Sequence, residues 1–312
     1  NSGIGFAKKL LRDCEESSNE FKFADESNLA RSMSRTVLVT GGNSGIGLAL
    51  CELLVAEHGC EVILGARSLE KGNAAVASIV EKHPSAASRL TVLEVDVQDD
   101  VSCLKAAETV KATGVRLFAL VNNAGVGLAH DSMTCDLVMN TNYKGPKRVT
   151  DAFADLLDER IVNVSSGVAS AWLRDQNAET KALFTNPDLT LPALEASLAE
   201  NVEKGNTGIG GGYGLSKAAL SALTLIQAKS YPHLKVIAIS PGFIATAMTV
   251  GYGAALTPAE GCKSTLKALF GDVTSGWYYG SDGLRSPWTC ARDPGMPEYG
   301  GEADPDAKVY NK

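Results

Sequence analysis

"TVLVTGGNSGIGLALCELL" occupies residues 36–54. Thr36–Thr40 are β-branched or apolar throughout and read as a buried strand. From Ile46 to His58 the apolar residues fall near helical spacing. Between them stands "TGGNSGIG" (40–47), where Gly41, Gly45 and Gly47 let backbone approach a ligand without a Cβ in the way. A helix that opens on such a turn aims unpaired N–H groups and the positive end of its dipole at a phosphate. Asn43, Ser44 and Ile46 line the same turn, and the expected ligand is a dinucleotide. A glycine turn without a ligand is the plain alternative.

The same string occurs once more. "NSGIGFA" (1–7) matches "NSGIGLA" (43–49) at six of seven positions. No strand precedes the first copy, and the stretch after it, "RDCEESSNEFKFADESN", is charged and serine-rich like a linker. Residues 1–33 are therefore read as an N-terminal extension and the vestige of an upstream repeat. The chain begins with Asn, not Met, so a processed or partial N-terminus is expected.

Outward from the turn, further strands are predicted at 61–66, 89–95, 117–122, 160–166 and 234–240. Helical patterns fill Leu69–Glu81, Val101–Thr113 and Asp136–Leu157. Repeated βα units imply an α/β fold with a doubly wound parallel sheet of Rossmann type, a single domain over residues 34–283. Residues 172–209 are too long for an ordinary connection and form a helical insertion, with Leu191, Leu194, Leu198 and Val202 on one face. Residues 284–312, rich in Pro, Gly and Asp, are expected to be a polar loop-like tail.

The net charge of −7 argues against a nucleic-acid partner. No apolar run approaches the roughly 18–20 residues that span a bilayer. Seven cysteines without CxxC spacing suggest reduced thiols in an intracellular compartment, the cytoplasm before an organelle, and the missing Met keeps an organelle open. The four histidines are isolated, and no metal is expected.

Arg67, in "GARS" (65–68), follows the second strand where a carboxylate would accept the 2′-hydroxyl of NAD. A guanidinium there suits a 2′-phosphate, so NADP(H) is the expected cofactor. "YGLSK" (213–217) puts Tyr213 and Lys217 on one helix face, where an ammonium would lower the phenol's pKa and make it a usable acid. "IVNVSS" (161–166) ends a strand at the ligand crevice with two serines.

With "NNAG" (122–125), "TNYKG" (141–145) and "PG" (241–242), these motifs resemble, in order, the short-chain dehydrogenase/reductase family over about residues 35–283. "YGLSKAALSALT", the insertion and "SGWYYGSDGLRSPW" (275–288) are most similar to its carbonyl-reductase-like group. The resemblance implies reduction of a ketone or aldehyde by NADPH. Tyr213 would be the acid, Ser166 would hold the carbonyl oxygen, Lys217 would bind ribose and tune Tyr213, and Asn142 would hold a relay water. It also implies cofactor contacts at Asp96, Val97, Asn122, Ala124, Gly125, Pro241, Gly242, Ile244 and Thr246. For "NNAG", bracing of the central strands stands equally beside ligand contact. Group members often carry Lys where this chain has Ser44, which leaves Arg67 as the main basic candidate.

The resemblance further implies a monomer, since the insertion covers a packing surface, and a small hydrophobic carbonyl substrate. Ala169, Trp172, Leu173, Phe243, Met248 and Tyr143 are expected to border its pocket, with packing of the insertion standing at least equally for Trp172. The competing reading is a non-catalytic relative serving as a structural subunit or NADP(H)-binding module in a larger assembly.

Overall fold

Thr36–Thr40 (β1) is buried at all five positions, because both faces of its sheet are covered. Val37 and Val39 point to one face and Leu38 to the other, the two-residue period of a strand. The structure, a computed structural model, describes residues 35–127 and 133–311, so the reading of residues 1–33 lies outside the described part. The other strands are Glu61–Ala66 (β2), Leu90–Glu94 (β3), Leu117–Asn122 (β4), Leu157–Val164 (β5), Lys235–Ile239 (β6) and Tyr278–Tyr279 (β7). They form one seven-stranded sheet in the order β3-β2-β1-β4-β5-β6-β7, parallel at every pairing. The chain reverses direction across the sheet between β1 and β4, and a crevice opens there beyond the strands' C-terminal ends.

Helices Gly45–Ala56 (α1), Leu69–Lys82 (α2) and Lys263–Phe270 (α10) close one face, burying Leu50, Leu54, Ile79 and Leu269. Asp100–Ala112 (α3) and Gly145–Phe153 (α5) cover part of the other, with Val110, Val149 and Phe153 against Leu38 and Leu120. Each such apolar side chain removed from water contributes about 1.5–3 kcal/mol. The predicted helix over 136–157 is a composite: Cys135–Met139 (α4), a π-helical turn at Asn140–Lys144, then α5. Ile209–Ser230 (α9) is the longest helix, but Gly210–Gly212 have φ of +63°, +63° and +103°, so its regular part starts at Tyr213.

The insertion begins in the last turn of Gly167–Arg174 (α6) and continues as Ala178–Phe184 (α7) and Leu191–Glu203 (α8). Asn177 and Thr190 cap α7 and α8 through the N–H groups of Thr180 and Ala193. Two expectations need correction. Leu194 and Leu198 are buried on α8, but Val202 is 37% exposed and Asn201 takes the inward position. Helical drift over three turns moves the stripe by one residue, and the Asn201 amide donates to the Ser197 carbonyl at 2.8 Å. Ala169, Trp172, Leu173 and Tyr143, expected at the pocket border, are core residues packed with Phe184, Leu194, Leu198 and Leu215. The Trp172 indole lies in the gap left by Gly208 and Gly214 and donates to the Asn206 carbonyl at 3.3 Å.

Thr36–Lys312 make one unit, tail included. The tail has little regular structure apart from a short final helix, Ala307–Tyr310 (α11). It is nevertheless folded onto the domain, with Cys290, Arg292 and Tyr310 all buried. Among the described residues, no helix is long and apolar enough to cross a membrane.

Candidate active site

The glycine turn is built for close approach. A Cβ on Gly47 would lie 2.3 Å from the Gly41 carbonyl oxygen, so only glycine fits there. A Cβ on Gly41 would meet the Ala124 Cα at 3.0 Å, which brings the loop after β4 against the turn. Ser44 occupies the N-cap of α1 but its side chain caps nothing. No acceptor among the described residues takes the N–H groups of Gly45, Ile46 or Gly47, and Leu48 is the first to bond back, to the Ser44 carbonyl. Asn43 is half-buried beside them. This donor set, at a helix N-terminus with no Cβ over it, fits a pyrophosphate.

Arg67 is exposed in the turn after β2, where it is free to meet a phosphate at the adenosine end. Asp96 is half-buried, and its Oδ1 accepts the Gln98 N–H at 3.0 Å. Val97 is buried against Gly145 at the start of α5. Past β6, Pro241 and Gly242 turn the chain, Ile244 is buried, and Thr246 reaches back over Gly45, whose added Cβ would be 3.4 Å from Thr246 Cγ2. Thr246 and Thr249 cap each other's turn and line an open cleft of about 430 Å³ with Ala245, Val250 and Ala254. Phe243 is half-exposed and Met248 partly buried, so both remain available to a substrate.

Tyr213, at the start of regular α9, is 7% exposed, and Lys217, one turn later, 4%. The Lys217 Nζ stands 5.7 Å from the Tyr213 ring centroid and donates to the Val164 carbonyl at 2.7 Å. Burial pushes the phenol of Tyr213 above its ordinary pKa, and the Ser166 hydroxyl pulls the other way. Lowering of the phenol by Lys217 is therefore not the dominant effect in this state, a correction to the expectation from spacing. Desolvation acts on the ammonium as well and brings Lys217 down to about 8. Ser166 caps α6, its Oγ accepting the Val168 N–H at 3.2 Å. Its O–H acts on the Tyr213 phenol, so the two hydroxyls face the same point of the site.

Asn142 lies in the π-helical turn, a distortion common at functional sites, and is fully buried. Its Oδ1 accepts the Val126 N–H at 2.9 Å, and its Nδ2 donates to the Val126 carbonyl at 2.8 Å and the Ser216 Oγ at 3.1 Å. The side-chain amide thus pairs with the loop after β4 as a neighbouring strand would. Any water it helps to hold must bind at backbone atoms. That loop forms a floor without side chains: a Cβ on Gly125 would be 3.6 Å from Lys217 Nζ, and one on Gly127 only 2.4 Å from the Tyr213 ring.

Asn122 and Asn123 brace the strands. The Asn122 amide donates to Thr150 Oγ1 and Asn163 Oδ1, and Asn163 continues to Thr224 and Gln227. Asn123 Nδ2 donates to the Thr40 carbonyl at 2.8 Å. Asn122 could therefore touch a nucleotide only through its backbone. The sequence reading missed Val126, Gly127 and Ser216; a second glycine just after "NNAG" was the available signal for Gly127. Among the described residues, no cluster of His, Cys, Asp or Glu could hold a metal.

Comparison with known proteins agrees with this geometry. The family profile for short chain dehydrogenase matches residues 35–177. A (+)-neomenthol dehydrogenase of Arabidopsis thaliana is 30% identical over 275 residues, covering 77% of this chain and 92% of the relative. A salutaridine reductase of Papaver bracteatum is 31% identical over 299 residues, covering 78% and 94%. The structure of NADPH-bound carbonyl reductase from chicken fatty liver superposes with a TM-score of 0.61 at 26% identity, covering 82% of this chain and 94% of that one. Sheet order, glycine turn, Ser–Tyr–Lys site and these similarities agree: the chain belongs to the short-chain dehydrogenase/reductase family.

Proposed function

We propose that this protein reduces a hydrophobic ketone or aldehyde to an alcohol with NADPH. The observation that carries the reading is the convergence of Ser166, Tyr213 and Lys217 at the C-terminal ends of the central strands, beside a phosphate-sized cradle. NADPH would supply the hydride. The Tyr213 phenol, kept protonated by burial, would give its proton to the carbonyl oxygen, and the O–H of Ser166 would turn from the phenol to hold that oxygen. Lys217 would exchange its bond to the Val164 carbonyl for the ribose and replace the proton of Tyr213. Gly41–Gly47, Asp96, Val97, Ala124, Gly125, Pro241, Gly242, Ile244 and Thr246 would surround the cofactor, with Arg67 on the 2′-phosphate.

The names of the relatives, a neomenthol dehydrogenase and a carbonyl reductase, support a small uncharged carbonyl substrate. A monomer fits an insertion core that seals Tyr143, Leu215 and Leu223 under α6–α8. A reducing intracellular setting fits the free thiols of Cys51, Cys103, Cys135, Cys262 and Cys290.

The test is turnover, followed by loss of NADPH absorbance, with menthone, an aromatic aldehyde and a quinone. Reduction of at least one is expected, with NADPH strongly preferred to NADH. Arg67→Ala should weaken NADPH binding by about 10–100-fold, the worth of a charge-assisted hydrogen bond, and leave NADH nearly unchanged. Tight NADPH binding with no turnover of any carbonyl would favour the non-catalytic reading.

A further inference from the structure

Ser240 follows β6 directly and is buried, and every polar group it carries is engaged. Its N–H donates to the Tyr279 carbonyl and its own carbonyl accepts the Ser264 Oγ, each at 2.8 Å. These two bonds belong to the backbone, so any residue at position 240 could make them. The hydroxyl does something else. Its oxygen accepts the N–H of Gly167 at 3.1 Å and, more weakly, that of Gly242 at 3.4 Å. Gly167 is the residue after Ser166 and the first of α6, where an N–H has no partner inside the helix. Gly242 belongs to the Pro–Gly turn that leads to Thr246.

The Ser240 oxygen thus presents its lone pairs to two glycine N–H groups on separate turns. The Tyr278 phenol is buried on β7, and Ser240 and Ser170 act on it against the upward push of burial. Ser170 Oγ donates to the Pro287 carbonyl of the tail at 3.2 Å.

We propose that Ser240 is a positioning residue for carbonyl reduction: its hydroxyl clamps the turn that carries Ser166 to the Pro–Gly turn that covers the cofactor side of the site. The proposal rests on the reductase reading above. Ser240 touches neither substrate nor cofactor in this scheme, and it acts through the placement of the Ser166 O–H. Ser240→Ala keeps the sheet bonds and loses only the clamp. The clamp therefore stands on the two glycine N–H bonds alone.

The experiment is a double-mutant cycle on the best carbonyl of the panel, with Ser240→Ala, Ser166→Ala and both together. Ser240→Ala should lower kcat by about 10–100-fold, below the roughly 10²–10³ for outright loss of an oxyanion donor. Its NADPH dissociation constant should stay within about threefold of the parent, a small fraction of one charge-assisted hydrogen bond. In the Ser166→Ala background the same change should cost nothing further, and Ser240→Thr should recover most of the loss. Losses that multiply in the double variant would overturn the proposal, since Ser240 would then act elsewhere. Amide hydrogen exchange at Gly167 needs no substrate and should accelerate in Ser240→Ala. Unchanged exchange there overturns the clamp, whereas a parent protein that reduces nothing overturns the reductase reading alone.

Discussion

Tyr213 and Lys217 share one face of α9, yet each is displaced in pKa chiefly by burial. For Tyr213 this keeps the proton in place until a substrate oxygen arrives. Tyr213→Phe removes that proton and keeps the ring, so kcat should fall by about 10²–10⁴-fold, the usual worth of a positioned general acid. NADPH affinity, read by fluorescence titration, should barely move, because the cradle lies at Gly41–Gly47. Gly127 is the steric partner of the same ring. Gly127→Ala, with its Cβ 2.4 Å from the ring and φ at +142°, should lower kcat while the parent's NADPH affinity persists. A parent-like kcat would show that the loop yields and that Tyr213 does not depend on it. Lys217 gives a pH signature. Its pKa falls from 10.5 to about 8 on folding, so between those values the unfolded chain binds more protons than the folded one. Stability contributed by this group therefore rises with pH across that window. Urea unfolding of the parent and of Lys217→Met at several pH values should show the parent gaining on the variant from about pH 8 upward. A constant difference would mean that Lys217 is solvated in the folded state.

At the scale of elements, sequence legibility followed local pattern. β1, the turn and α1 could be read because strand, glycine spacing and helix lie contiguously in 36–56, and β2 and β4 because fully buried strands show unbroken apolar runs. β7 escaped: two residues paired with Ala238 and Ile239 carry no period of their own. The π-helical turn escaped as well, since "TNYKG" has ordinary helical composition and the distortion comes from the pairing of Asn142 with Val126. Positions of Ser166, Tyr213 and Lys217 were legible from their motifs. The direction of the Tyr213 pKa was not, because burial is a property of the whole site. For Trp172 the sequence left pocket and packing open, and the gap at Gly208 and Gly214 decides for packing. Packing of the insertion makes a quantitative claim. Leu194 is wholly buried between α8 and α9, so Leu194→Ala should cost about 2–5 kcal/mol in urea unfolding. A loss below about 1 kcal/mol would mean that α8 is only loosely seated, since an exposed substitution costs that little.

The molecule as a whole is closed by its tail. Arg285 lies flat on Trp277 at 3.6 Å and near Tyr299 at 4.8 Å, clasping the polar segment that composition alone marked as loop. The stronger lock is Arg292, whose side chain is fully buried. It donates to Ser286 Oγ at 3.2 Å, to the Met296 carbonyl at 2.7 Å, to the Asp293 carbonyl at 3.3 Å and to the Asp282 carboxylate. Burial raises the pKa of Asp282, but Arg292 and the N–H groups of Leu284 and Gly295 outweigh it and hold the carboxyl below its usual range. A buried charge stripped of its partner is expensive, about 3–5 kcal/mol. Asp282→Ala should therefore destabilise the protein by that order, far more than breaking the exposed Lys229–Asp188 pair. The sign against pH also follows. A carboxylate with a lowered folded pKa stabilises above its unfolded pKa and loses that contribution as pH falls through the folded value. The parent should lose stability on acidification more steeply than Asp282→Ala, the two curves converging at low pH. Because Pro287 and Ser286 sit on the same tail as Arg292, loosening it should also free the Ser170 hydroxyl from the Pro287 carbonyl, on the helix that follows Ser166. Carbonyl reduction by Asp282→Ala should then show a kcat defect at temperatures well below its unfolding midpoint. Full activity there would confine the tail to a purely structural part.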